Sequence, residues 1–108
     1  MRKQVPTIVC LCGSTRFGDA FREANLQETL AGKIVLSIGC DFKSDQALGL
    51  TEKDKERLDE LHLRKIDLAD EVLVLNVNGY IGISTRHEIE YAEQQGKQIR
   101  YLEHKMSS

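Results

Sequence analysis

Long apolar runs, an excess of either charge and paired cysteine motifs are all missing from this 108-residue chain. No stretch approaches the roughly 20 apolar residues of a membrane span, and the opening Met-Arg-Lys-Gln has no segment of signal-peptide type, so no membrane association is expected. Charged residues make up 30% of the chain yet nearly cancel, to a formal net charge of −2. That balance excludes the clustered basic surface with which proteins grip nucleic-acid polymers. Three cysteines are present, with no Cys-x-x-Cys pair and no histidine cluster beside them, so neither a metal nor a cofactor is expected. Cys10 and Cys12 alternate in an apolar run and share one strand face, as buried reduced thiols of a cytoplasmic protein would. Walker loops and Ser-His-Asp triads are also absent.

What is present is an alternation of short apolar runs with amphipathic stretches. Residues 7–12 form an almost wholly apolar run between Pro6 and Gly13, the pattern of a strand buried on both faces. A helix follows to about Leu30, with Phe21, Ala24, Asn25 and Leu30 near one face and Ala31-Gly32 closing it. Residues 34–37 read as a second strand and 38–50 as a loop without clear period, long enough to suggest a function. Thr51 is the expected N-cap of a long helix. Its inward stripe is Leu58, Leu61, Ile66 and Ala69, interrupted by His62 and Lys65, of which one or both reach inward. Residues 71–75 form a third strand, a helix runs from about Thr85 to Gln95, and residues 98–102 form a fourth strand. Residues 103–108 read as a frayed tail.

The order β-α-β-α-β-α-β implies one α/β domain over 1–108: a flavodoxin-like or Rossmann-like three-layer sandwich. It has a four-stranded parallel sheet in order 2-1-3-4, with helices on both faces. A topological switch point then lies between strands one and three, where ligands bind beyond the carboxyl ends. The two segments flanking it, Gly13-Ser14-Thr15-Arg16-Phe17 and the stretch from Asn76 to Arg86, both carry Ser-Thr-Arg just after a strand and just before a helix. Helix N-termini and guanidinium groups at one edge suit an anion.

Glu88 has two readings. Thr85-Arg-His-Glu88 has the spacing of a capping box, in which the glutamate returns to the start of its own helix. Alternatively, Glu88 stands at the edge of the face made by Ile89 and Ala92 and points to the ligand, ionised by its first-turn position. An ionised carboxylate beside an anomeric carbon is the nucleophile of a retaining glycoside cleavage, and this reading is preferred. Ser14, Thr15, Ser84 and Thr85 are N-caps or phosphate ligands. Arg16 and Arg86 pair with surface acids or hold that phosphate, and Phe17 and Tyr80 offer rings to a base. His62 is a structural histidine or a catalytic one. Asp67 and Asp70 lie late in their helix, where the dipole does not favour them; a cap or a chemical role would explain this.

These residues resemble the nucleoside 2-deoxyribosyltransferase superfamily, with its related small N-glycosidases of 2′-deoxynucleoside 5′-monophosphates. The likeness covers Cys12-Gly-Ser-Thr-Arg-Phe17, Ile66-Asp-Leu-Ala-Asp-Glu-Val-Leu-Val-Leu75, and Glu88-Ile-Glu-Tyr-Ala92 followed by Gln-Gly-Lys97. It implies that Glu88 attacks C1′ of the sugar, that an acid such as His62 or Asp67 protonates the departing base, and that the loop residues Gly13 to Phe17, Asn76, Tyr80, Gly82 and Ser84 to Arg86 hold the nucleoside or its monophosphate. It also implies a homodimer or larger homo-oligomer. Arg86 and Ser84 stand where that family has glycines, and His62 stands near where it has an aspartate; of these departures, Arg86 favours a phosphorylated ligand over a free nucleoside. The alternative function is a nucleotide-binding or nucleotide-sensing module without turnover.

Overall fold

The computed structural model describes residues 5–38 and 49–103. Most of the loop expected at 38–50, and the tail from 104, lie outside the described residues. Among the described residues, four strands, β1 (Ile8–Cys12), β2 (Ile34–Leu36), β3 (Glu71–Val74) and β4 (Gln98–Tyr101), alternate with three helices, α1 (Gly18–Leu30), α2 (Glu52–Leu68) and α3 (Ile83–Gln94). The strands form an all-parallel sheet in order β2-β1-β3-β4, the arrangement that the alternation predicts. The central pair, β1 and β3, is nearly all buried, which is why those segments carry few polar residues.

The pleat sends alternate side chains to opposite faces. Val9, Leu11, Leu73 and Leu75 pack with Phe21 and Ala24 of α1. Cys10, Cys12, Val72 and Val74 pack with Ile66, Ala69, Ile89 and Ala92 of α2 and α3. Among the described residues, one face thus has one helix over it and the other has two.

Two helix faces differ from expectation. Leu30 is 71% exposed and Asn25 is exposed too. At 100° per residue Leu30 lies nine steps from Phe21, on the far side of α1, and the inward line continues through half-buried Glu28 instead. On α2, His62 and not Leu61 follows the stripe inward, and Leu61 is half exposed. Thr51 caps α2 as expected, exchanging hydrogen bonds with Asp54 at 3.1 and 3.0 Å in a full capping box. Asp70 ties the turn after α2 to the sheet by accepting the Ile8 N–H at 2.8 Å.

On the α1 face a compact charge network fills the remaining space. Glu71 Oε1 accepts from Lys33 Nζ at 2.9 Å and from Arg100 Nη2 at 2.8 Å, and both cations also pair with Glu28. Burial pushes the Glu71 carboxyl up, but these two cations outweigh it and hold it below the ordinary glutamate value.

Candidate functional site

Gly13 is the first residue beyond β1. A Cβ there would sit 3.1 Å from the Leu75 Cβ and 3.3 Å from its carbonyl oxygen, so only glycine lets the ends of β1 and β3 stay this close. The chain then turns through Ser14, whose carbonyl accepts the Phe17 N–H at 3.0 Å and whose hydroxyl accepts the Arg16 N–H at 3.3 Å. The second loop leaves β3 through a 3₁₀ turn, Val77–Gly79, in which Asn78 and Gly79 take positive φ of 55° and 80°. Asparagine and glycine tolerate that backbone best. The two loops meet through side chains: the Phe17 ring stands edge-on to Tyr80 with centroids 5.8 Å apart, and the Arg16 guanidinium lies 4.5 Å over the Tyr80 ring.

Between these loops and α2 lies a cavity of about 490 Å³. Gly13, Ser14 and Thr15 line it from the first loop, and Tyr80, Gly82, Ser84, Thr85 and Glu88 from the second loop and α3. The wall from α2 includes Lys55, Asp59, His62 and Lys65. Lys65 also donates to the Ser37 carbonyl at 2.7 Å, fixing the end of β2 against that wall.

Helix α3 starts two residues earlier than its sequence suggests. Gly82 is its N-cap and no side chain caps it. Thr85 is therefore the third helical residue, buried at 3% exposure, and Glu88 lies in the second turn. The capping-box reading and the first-turn argument for ionisation both fail on this register. Ser14, Thr15, Ser84 and Thr85 are likewise not N-caps, since Phe17 and Gly82 occupy those positions. The uncapped first turn of α3 leaves its N–H groups beside the cavity, which is lined by Gly82, Ile83, Ser84 and Thr85.

Glu88 points into the molecule, its side chain 16% exposed. Its Oε1 lies 3.8 Å from His62 Nε2, and the same nitrogen lies 3.3 Å from Cys12 Sγ and 3.7 Å from Cys10 Sγ. Burial pushes the Glu88 carboxyl above its ordinary value, with His62 opposing. Burial disfavours a charged His62, but the Cys10 hydrogen bond and the Glu88 charge prevail and raise it. Of the two thiols, Cys10 is drawn down to about 5 by its hydrogen bond with Cys12, while Cys12 is held well up by the same bond and by burial. Both sulfurs lie behind His62, which itself lines the cavity with Glu88.

Several expected site residues lie elsewhere. Asp67 accepts the Tyr91 hydroxyl at 2.6 Å and pairs with Arg64, so its carboxylate is engaged between α2 and α3, away from the cavity. Asn76 is 3% exposed and clamps Glu103, donating to its carbonyl at 3.0 Å and accepting its N–H at 2.9 Å. The carboxylate of Glu103 also accepts the Asn78 N–H at 2.8 Å, so this residue is anchored and not frayed. Arg16, Phe17 and Arg86 do not line the cavity; the first two buttress Tyr80 at its lip, and Arg86 is exposed. Reasoning from sequence missed Asp59, one turn before His62, and it missed both cysteines as partners of His62. Asp59 shares a helix face with His62 at a spacing of three residues and was accessible to that argument. The cysteines, some 50 residues away, were not. No family model and no curated protein matches this chain.

Proposed function

We propose that the protein cleaves, or exchanges the base across, the N-glycosidic bond of a nucleoside or nucleoside monophosphate, with Glu88 as nucleophile. The observation that carries this reading is the position of Glu88. It is a largely enclosed carboxylate, its side chain 16% exposed, on the floor of a sugar-sized cavity at the switch point, neither turned to bulk water nor folded back on its helix start. Resemblance to the nucleoside 2-deoxyribosyltransferases gives the same residue the same role.

In the reaction a Glu88 oxygen bonds to C1′ as the C1′–N bond breaks. The electron pair leaves with the base nitrogen, which takes a proton from solvent at the cavity mouth, beside Asp59 of its wall. Water, or a second base, then attacks C1′ and loses a proton to solvent as the C1′–O bond to Glu88 breaks, which returns Glu88 as a free carboxylate. His62 steadies the Glu88 charge between these steps. A 5′-phosphate docks on the uncapped start of α3 with the hydroxyls of Ser14, Thr15 and Ser84, and Tyr80 stacks on the base. The reduced thiols suit the cytoplasm. No described helix is long and apolar enough to cross a membrane. Leu26 and Leu30, exposed one turn apart on α1, are available for self-association into a homodimer or larger homo-oligomer.

The test is incubation with a panel of deoxynucleoside and ribonucleoside monophosphates, with free base followed by chromatography. Base release by the native protein that is lost in Glu88→Gln is the expected result. No release above that variant from any substrate overturns the reading. If a nucleotide then still raises the melting temperature, the protein is a binding module.

A further inference from the structure

Beneath the cavity floor, which His62 and Glu88 line, lies a set of atoms that glycoside cleavage does not need. Cleavage uses Glu88 and, through it, His62; it has no use for two sulfurs aimed at one imidazole nitrogen. Cys10 and Cys12 are both fully buried on the central strand, free of any disulfide, on the same face of the sheet. One sulfur from each and one nitrogen of His62 lie within 4.8 Å of one another.

The distances fit a ligand set. A tetrahedral ion bonded to sulfur at about 2.3 Å and to nitrogen at about 2.0 Å holds those two atoms about 3.5 Å apart. Here His62 Nε2 stands 3.3 Å from Cys12 Sγ and 3.7 Å from Cys10 Sγ, on either side of that value. The fourth corner is not empty protein: Glu88 Oε1 lies 3.8 Å from the same nitrogen, about 0.4 Å beyond the spacing of nitrogen and oxygen ligands on a tetrahedral ion, a gap that a small rotation of the side chain closes. A disulfide is the competing use of two cysteines. Residues i and i+2 of a strand are about 6.6 Å apart at Cα, at the upper edge of what a disulfide spans, and a central strand cannot bend to shorten it.

We propose that Cys10, Cys12 and His62 form a site for a thiophilic cation of the zinc type, with Glu88 as its fourth donor at the cavity floor. Sulfur and imidazole donors select such an ion over magnesium or calcium. Loading it displaces thiol protons to the solvent and leaves the ring neutral. The site stands independently of the glycosidase reading. Where that reading also holds, an ion gripping Glu88 occupies the nucleophile, so metal and base release exclude each other.

Cobalt(II) added to the reduced, full-length protein is the probe. The expected result is a thiolate-to-cobalt charge-transfer band with the visible bands of a tetrahedral site, saturating at one equivalent and displaced by zinc. Cys10→Ser and Cys12→Ser lose the band. Absence of the band in the native protein overturns the site, as does its survival in either variant. Should the strand variants fail to fold, His62→Gln leaves both cysteines in place. It weakens cobalt binding by more than the roughly 10–100-fold that losing an outer-shell partner costs, and unchanged affinity refutes the proposal. Glu88→Gln retains both sulfurs and hence the band while losing base release, so failure of either reading is visible without the other.

Discussion

Glu71 and Glu88 are both glutamates buried against the same sheet, on opposite faces, and their side chains are 10% and 16% exposed. Yet the carboxyl of Glu71 is held below the ordinary value and that of Glu88 is pushed above it. Burial acts on both in the same direction, so the difference lies in their partners. Glu71 receives two cations at 2.8–2.9 Å in a set of two acids and two bases. Glu88 has the Cys12 thiol as a hydrogen-bond partner and one histidine at 3.8 Å, itself shared with two thiols. A buried charge whose neighbours are full cations is part of the framework. A carboxylate facing a cavity with only a thiol and a shared imidazole beside it is available to a ligand.

The largest expected effect separates the two glutamates by activity. Glu88→Gln lowers base release on the order of a thousandfold or more, while its melting temperature holds or rises, since the amide carries no charge to bury. Calorimetry beside the chromatographic assay checks both halves. A large loss of stability would make Glu88 a framework residue like Glu71.

Glu71→Ala is the converse. It strands Lys33 and Arg100 over the sheet and is expected to cost about 3 kcal/mol in chemical denaturation, with the cobalt band and base release intact in the folded fraction. A comparable loss of site chemistry would show that the two faces are coupled.

Acid titration sharpens the same contrast. The folded pKa of Glu71 lies below its unfolded value, so its contribution to stability is complete above the ordinary glutamate value of 4.5. It is lost as pH falls through the lowered folded value. Native protein should therefore lose stability below that pH more steeply than Glu71→Gln does. Parallel stability curves for the two proteins would remove the network from the account.

The smallest effect concerns the lip of the cavity. Arg16→Ala removes an exposed guanidinium from the Tyr80 face and should cost only about 0.5–1 kcal/mol, seen as a modest rise in KM with kcat unchanged. A fall in kcat would place Arg16 closer to the reacting atoms than its position over Tyr80 implies.

The sheet order could be read from the sequence because alternating apolar runs and amphipathic stretches leave few parallel topologies. The inward aspect of Glu88 could also be read, because it flanks Ile89 at helical spacing. Helix starts were harder: an uncapped glycine start at Gly82 leaves no sequence signal, whereas Thr85 with Glu88 offers a false one. Face assignment failed at Leu30, where apolar character argued against geometry and geometry decided. The meeting of His62 with Cys10 and Cys12 depends on how α2 lies across β1, a tertiary fact with no local trace. Asp67 misled for a related reason: its place in the helix looked unexplained until Tyr91, on another helix, supplied the partner.

Gly13 sets a tolerance for the whole arrangement. The hydrogen it carries in place of a methyl group lets the chain beyond β1 pass close to Leu75, at a point that itself lines the cavity. An alanine there requires Leu75 to give by a few tenths of an ångström. The position is therefore a natural gauge: graded enlargement of its side chain would calibrate how much slack the floor and rim can absorb before they part.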